Sequence, residues 1–187
     1  STRTLGALGS IAASRAAREF SLGGPSYAIS CGELSGVRAF EIGVRAIANH
    51  EMESCLIGAI DLSGDPCSVW SEDKIVPFTR REQAHPFSED GDGPTLAEGA
   101  VVLVLKSRAA AVADGDTVLA RVEELCSAGG KNALERVFEQ LKSRLNGGGA
   151  NIGYLDVVSR AHPDQDRNLA RLWEEKFPQS SRPTALG

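Results

Sequence analysis

Apolar residues along this chain follow two rhythms, one near 3.6 residues and one of short continuous or alternating runs, and the two take turns. Leu5 to Phe20, rich in alanine, predicts a helix, and Gly23-Gly24-Pro25 a turn. Ser26 to Ser30 predicts a short strand with Tyr27 and Ile29 on one face. From Leu34 onward, Val37, Phe40, Ile42, Val44 and Ile47 predict a mostly apolar helix ending near Asn49-His50. Gly36 and Gly43 lie two turns apart on one face of it. Each glycine costs up to ~1 kcal/mol of helix propensity relative to alanine. A helix carrying both is therefore expected to pack at close range against backbone.

Cys55 to Ile60 is a continuous apolar run and predicts a buried strand. Residues 61 to 98, dense in Pro, Gly, Asp and Ser, predict a long irregular excursion of the kind that is functional or packed by its own side chains. Gly99 to Lys106 is the strongest strand signal, followed by an alanine-rich helix stopped by Gly115 in a left-handed cap. Thr117 to Glu123 predicts another strand. Ala133 to Leu145 predicts a helix, with Leu134, Val137, Phe138, Leu141 and Leu145 on one face, ended by Gly147-Gly148-Gly149. Ile152 to Val158 predicts a strand, and Leu169, Leu172, Trp173 and Phe177 mark a last helix before Pro178. The tail from Gln179 to Gly187 carries no core pattern. Alternating strands and helices predict an α/β layering with a mixed or parallel sheet, and 115 to 130 is the expected transition between two subdomains.

Charge and composition narrow the partners. The net charge is -5 with no basic tract, which argues against nucleic acid. No apolar run reaches the roughly 18 residues that span a bilayer, and no signal peptide is evident, so a cytoplasmic protein without membrane insertion is expected. Cys31, Cys55, Cys67 and Cys126 are widely spaced without a CxxC pair; reduced thiols fit better than any of the three possible disulfide pairings. His50 and His85 form no metal spacing with a cysteine. Gly91-Asp92-Gly93 matches neither a phosphate loop nor a calcium loop. The chain begins at Ser1 and ends on Ala185-Leu186-Gly187 in mid-pattern, as a processed piece or one segment of a larger protein would.

Two blocks carry a resemblance. The first is Gly24-Pro25-Ser26-Tyr27-Ala28-Ile29-Ser30-Cys31 followed by a helix of small residues. The second is Pro86-Phe87-Ser88-Glu89-Asp90-Gly91-Asp92-Gly93, then Ala97-Glu98-Gly99-Ala100, the Val101 to Lys106 run and the Gly115-Asp116 turn. In order and spacing they resemble the beta-ketoacyl synthases, the condensing enzymes of fatty-acid and polyketide synthesis in the thiolase-like superfamily. The resemblance runs through essentially all 187 residues but corresponds to less than half of a full ketosynthase. It implies a thiolase-like layered fold (α-β-α-β-α), here partial or contracted. Residues 1–116 would belong to the N-terminal half with the nucleophile segment, and 117–187 would start a contracted C-terminal half. It also implies a homodimer or a heterodimer with a ketosynthase-family subunit. Cys31 would accept acyl groups from phosphopantetheine carried by an acyl carrier protein, with no cofactor or metal of the chain's own. Since the net charge would not attract an acidic carrier, docking would need a local basic patch.

The resemblance also implies two histidines that assist decarboxylation. In the ungapped register through Tyr154 to Pro163, supported by Pro163 and Asp166, Val158 stands in the place of the first, and the second would lie just beyond Gly187. His162 falls where a threonine belongs and reads as a surface or structural histidine. Gly32-Glu33-Leu34 replaces a serine-rich segment, Ala97 a glycine and Ser88 an aspartate, and the connection from Cys126 to Asn132 is short.

Physical chemistry separates the two half-reactions. A free cysteine is only a few per cent thiolate at neutral pH, and a helix N-terminus favours the anion by roughly 0.3–1 kcal/mol. Acyl transfer to Cys31 is thus permitted without a histidine base. Decarboxylation instead places charge on a thioester oxygen, and a missing donor there costs on the order of 3–4 kcal/mol. Valine offers no donor. A carboxylate at Glu33 would oppose the thiolate if it faced the sulfur, or would satisfy first-turn N–H groups if it did not. Glu98 reads as a structural carboxylate accepting backbone hydrogen bonds. Two functions follow from these expectations: ketosynthase-like acyl transfer and condensation through Cys31, or a catalytically inactive partner, similar to chain-length factors, that shapes the channel of an active subunit.

Overall fold

The structure, a computed structural model, describes residues 9–62, 64–83, 85–145 and 152–178 together with the backbone of Thr184–Ala185. The start of the first expected helix, the Gly147-Gly148-Gly149 run and most of the tail lie outside the described residues. The chain divides into two compact units, Ser1–Asp61 with Gly99–Leu119, and Leu62–Glu98 with Ala120–Gly187. One boundary, between Leu119 and Ala120, falls inside the expected transition at 115 to 130. The assignment of the 62–98 excursion to the second unit was not legible in the pattern.

In the first unit, α1 spans Ser10–Glu19 and α2 Ser35–Ala48, while β1 (Ser54–Asp61) pairs antiparallel with β2 (Gly99–Lys106) over their full lengths. Ser54 stands opposite Lys106 and Asp61 opposite Gly99. Helix α4 (Arg108–Asp114; α3 lies in the second unit) follows β2 directly. Its C-terminal end carries the left-handed glycine cap the sequence announces, and its N-terminal end a serine cap that the sequence reading did not name. The Ser107 side chain accepts from Ala110 N–H, and Gly115 takes φ 71°. Lys106 pairs with Asp114 and Asp116, tying the end of β2 to the end of α4.

Helix α2 packs on β1 through its glycines, as the sequence predicts, but the close neighbours are side chains rather than backbone. A Cβ on Gly36 would lie 2.8 Å from Ala59 Cβ. One on Gly43 would lie 2.6 Å from Ile57 Cδ1 and 2.9 Å from Cys55 Sγ. Cys55, Ile57 and Ala59 alternate along one face of β1, so two missing side chains on the helix match one row of the strand. At its other end α2 stops in a Schellman motif: Glu51 N–H donates to Ala46 and His50 N–H to Ile47, with His50 at φ 59°. His50 serves the helix end. The expectation that β1 is buried throughout fails: α2 covers its Cys55, Ile57 and Ala59 face, while Leu56 and Ile60 are exposed, and β2 is exposed on both faces from Val101 through Val104.

The second unit holds the denser core. α3 (Pro66–Asp73), α5 (Ala133–Arg144), the two-residue strand β3 (Asp156–Val157), α6 (Pro163–Lys176) and β4 (Thr184–Ala185) belong to it, with β3 and β4 parallel. The apolar faces predicted for α5 and α6 meet: Phe138, Leu172, Trp173 and Phe177 are buried together, flanked by Leu134, Val137, Leu141, Ile152, Leu155 and Leu169. Phe138 meets Trp173 and Phe177 edge-on at centroid distances of 5.7 and 6.0 Å.

The layering is a mixed α/β arrangement with small, incomplete sheets. Three strand expectations need correction. Ser26–Ser30 and Thr117–Glu123 are irregular, and Ile152–Val158 shortens to two residues. A strand exists only with a ladder partner, and alternation specifies a face without specifying a neighbour. Conversely α3 was missed inside the excursion, although Asp65 before Pro66 is a helix-start signal: the Asp65 carboxylate accepts from Cys67 and Ser68 N–H at 3.0 and 3.2 Å.

Candidate nucleophile site around Cys31

Cys31 is exposed and precedes α2 by one tight turn. Gly32 makes that turn with φ 55°, a conformation glycine adopts without a Cβ penalty. Leu34 N–H donates to Cys31 C=O at 3.3 Å and Ser35 N–H to Gly32 C=O at 3.0 Å. The helical N-cap position falls on Leu34, whose side chain makes no cap bond. Ser35 does that work instead. Its hydroxyl accepts from Cys31 N–H at 2.8 Å and donates to Gly32 C=O at 2.6 Å. This is the backward half of a capping box, in which a first-turn side chain reaches back to an amide ahead of the helix.

The next turns of α2 place charge on the same side. Arg38 binds Glu41 at 2.5 Å, and Arg45 binds the other oxygen of Glu41 at 2.5 Å. Glu41 is buried while both arginines reach solvent. The Arg38 guanidinium is held above its ordinary value first by Glu41, through hydrogen bonding and charge, and to a smaller extent by Cys31. Within this trio two cations face one carboxylate. The sequence reading missed Ser35, Arg38 and Glu41. Their signal was present as spacings of three and four residues from Cys31 onward.

The other cysteines differ. Cys55 is partly buried behind α2, and burial pushes its thiol up, away from reactivity. All four cysteines are free thiols.

The second sequence block, in the second unit, proves architectural. Glu98 accepts from Gly64 N–H at 2.9 Å, in the structural role expected for it. Gly93 has φ 143°, and a Cβ there would sit 2.2 Å from Pro77 C=O. Asp92 accepts from Thr79 Oγ1 at 2.5 Å and from Arg80 N–H at 3.3 Å. Hydrogen bonds from Thr79 and Arg80 and the charge of Arg81 hold the Asp92 carboxyl below its usual range. Asp166 is buried and accepts from Phe87 N–H at 2.8 Å and from Ser159 Oγ at 2.6 Å, so the Pro86-Phe87 segment is fastened to α6.

Val158 is 100% exposed. His162 is exposed at the N-cap of α6, ahead of Pro163, the structural place its sequence context suggested. His85 is likewise exposed. Among the described residues no group of three or more His, Cys, Asp and Glu side chains is arranged to hold a metal ion, and no helix is long and apolar enough to cross a membrane. Two hollows, of ≈ 340 and ≈ 260 Å³, are lined by second-unit residues around Asn132 and around Phe87.

The family described as "Beta-ketoacyl synthase, N-terminal domain" matches residues 1–111. A highly reducing polyketide synthase of Emericella nidulans is 30% identical over 110 residues, covering 59% of this chain and 4% of that protein. One of Cordyceps militaris is 29% identical over 117 residues, covering 63% and 5%. The chain therefore spans a small fraction of these relatives' length. A type II polyketide synthase ketosynthase, solved with its acyl-carrier protein and bound to a hexaketide, superposes with TM-score 0.80 at 21% identity over 89% of this chain and 45% of that one. The oxazolomycin ketosynthase domain from Streptomyces albus gives TM-score 0.71 at 28% identity over 79% and 28%.

Proposed function

The chain belongs to the beta-ketoacyl synthase family, and from that premise we propose that it serves acyl transfer on acyl-carrier-protein thioesters, in fatty-acid or polyketide biosynthesis, with Cys31 as the acyl acceptor. The observation that carries this reading is the exposed Cys31 thiol at the head of α2, one glycine turn ahead of the helix and beside the Arg38 guanidinium. A cation beside the sulfur favours the negative charge that nucleophilic attack requires there. Residues 1–116 and 117–187 then correspond to parts of the two halves of a longer ketosynthase, working in the cytoplasm. The acyl carrier protein brings the phosphopantetheine arm, so the chain supplies no cofactor.

A stable acyl adduct should form when the protein meets acyl-carrier-protein thioesters, read by intact mass, and should vanish in Cys31→Ala. Absence of any adduct, alone or with a ketosynthase partner, sinks the reading. Malonyl decarboxylation should stay near background, because Val158 presents no hydrogen-bond donor. Robust turnover would show that another group takes that place. The same valine supports a second reading, a non-condensing partner that shapes the channel of an active subunit. Under it, the protein would raise or redirect the product length of an active ketosynthase without acylating Cys31.

A further inference from the structure

The amide of Cys31 is already committed. Its N–H points at Ser35 Oγ, 2.8 Å away, and the Ser35 proton is in turn spent on Gly32 C=O at 2.6 Å. A nucleophile's own backbone N–H is a natural oxyanion donor, because the attacked carbonyl oxygen lies within reach of it as the sulfur–carbon bond forms. We propose that Ser35 gates acyl transfer at Cys31 by occupying the amide donor that the thioester oxygen needs. This rests on the reading of Cys31 as the acyl acceptor.

The chemistry balances without a further reagent. The Cys31 thiolate, its proton given to solvent, adds to the thioester carbonyl carbon, and the π pair moves onto oxygen. Collapse of that tetrahedral oxyanion restores the carbonyl and expels the donor's thiolate, which takes a proton from solvent. Only the oxyanion needs the Cys31 N–H. In the structure the hydroxyl must swing away before the amide can turn to the substrate. Gly32, at φ 55°, is the point where the turn can yield. Ser35 is thus a positioning residue: it acts through the Cys31 amide and touches no reacting atom.

A purely structural cap would behave differently. Alkylation by iodoacetamide needs the same thiolate but forms no oxyanion. The test compares, in the whole chain, acylation of Cys31 by hexanoyl-pantetheine with its alkylation by iodoacetamide, both read by mass. Ser35→Ala should raise the acylation-to-alkylation ratio about 3- to 10-fold, the factor of one net hydrogen bond. Ser35→Thr, which keeps the hydroxyl, should hold the ratio of the unaltered protein. An unchanged or lowered ratio in Ser35→Ala, with acylation intact in the unaltered protein, overturns the gate and leaves the acyl-acceptor reading standing. Equal changes in both rates would make Ser35 a simple cap and also overturn it. If iodoacetamide labels Cys31 but no variant takes the acyl group, both ideas fail together.

Discussion

Ser35, Arg38, Glu41 and Arg45 follow Cys31 at three- and four-residue steps, so each turn of α2 adds one polar group to the side on which the nucleophile turn begins. A buried carboxylate survives there because two guanidinium groups hold it. Arg38, half-exposed and in interaction with Cys31 as well as Glu41, should act on the thiol as a solvent-screened charge. Arg38→Gln is expected to slow iodoacetamide labelling of Cys31 at neutral pH by roughly two- to five-fold, the scale of an exposed pair. The difference should shrink as salt is added. Equal rates at low salt would show that Arg38 does not serve the thiol. At this scale the sequence displayed Cys31 plainly. Its helpers were hidden because an i,i+4 spacing is compatible with any solvated helix face, and only the fold shows which arginine shares a carboxylate with its neighbour.

The contact between α2 and β1 shows how two glycines of the same type carry different weight. At Gly36 the neighbour is Ala59 Cβ, which is fixed to the backbone and cannot turn aside. At Gly43 the neighbours are the far end of Ile57 and the Cys55 sulfur, both of which rotate. Gly36→Ala should therefore destabilise by about 1–3 kcal/mol, the cost of overpacking a closed contact. Gly43→Ala should come out near neutral, with up to ~1 kcal/mol of helix propensity offsetting a small side-chain shift. Urea unfolding of the two variants decides this, and the reverse order would show that α2 slides along the strand. Helices were legible from the chain: α2, α4, α5 and α6 lie where the periodicity placed them, since an α-helix closes its own hydrogen bonds. Strands were legible where a partner exists, as in β1 and β2, and were lost at Ser26–Ser30 and Thr117–Glu123, whose alternation found no partner among the described residues.

For the molecule as a whole, the distribution of apolar surface matters more than its amount. In the second unit the aromatic cluster of Phe138, Trp173 and Phe177 closes on itself. In the first, β1 and β2 pair only with each other among the described residues, and β2 is open on both faces, with Val102 and Val104 64% and 72% exposed. Open edges flanked by apolar side chains invite pairing with another chain. A dimer formed through Ser26–Ser30 would likewise give that segment a ladder partner. Light scattering should accordingly report a mass above the 19.7 kDa of one chain, and a monodisperse monomer would refute the expectation. By itself the sequence determined the helices, the strand segments that became β1 and β2, and the family, and it singled out Cys31 as the candidate nucleophile, because these follow from local periodicity and from residues adjacent in the chain. The tertiary structure alone decided which strand-like segments are paired, where the charge of α2 is neutralised and that the Cys31 amide is taken by Ser35. Those depend on which groups meet in space and compete for one another's hydrogen bonds, and linear order does not encode that competition.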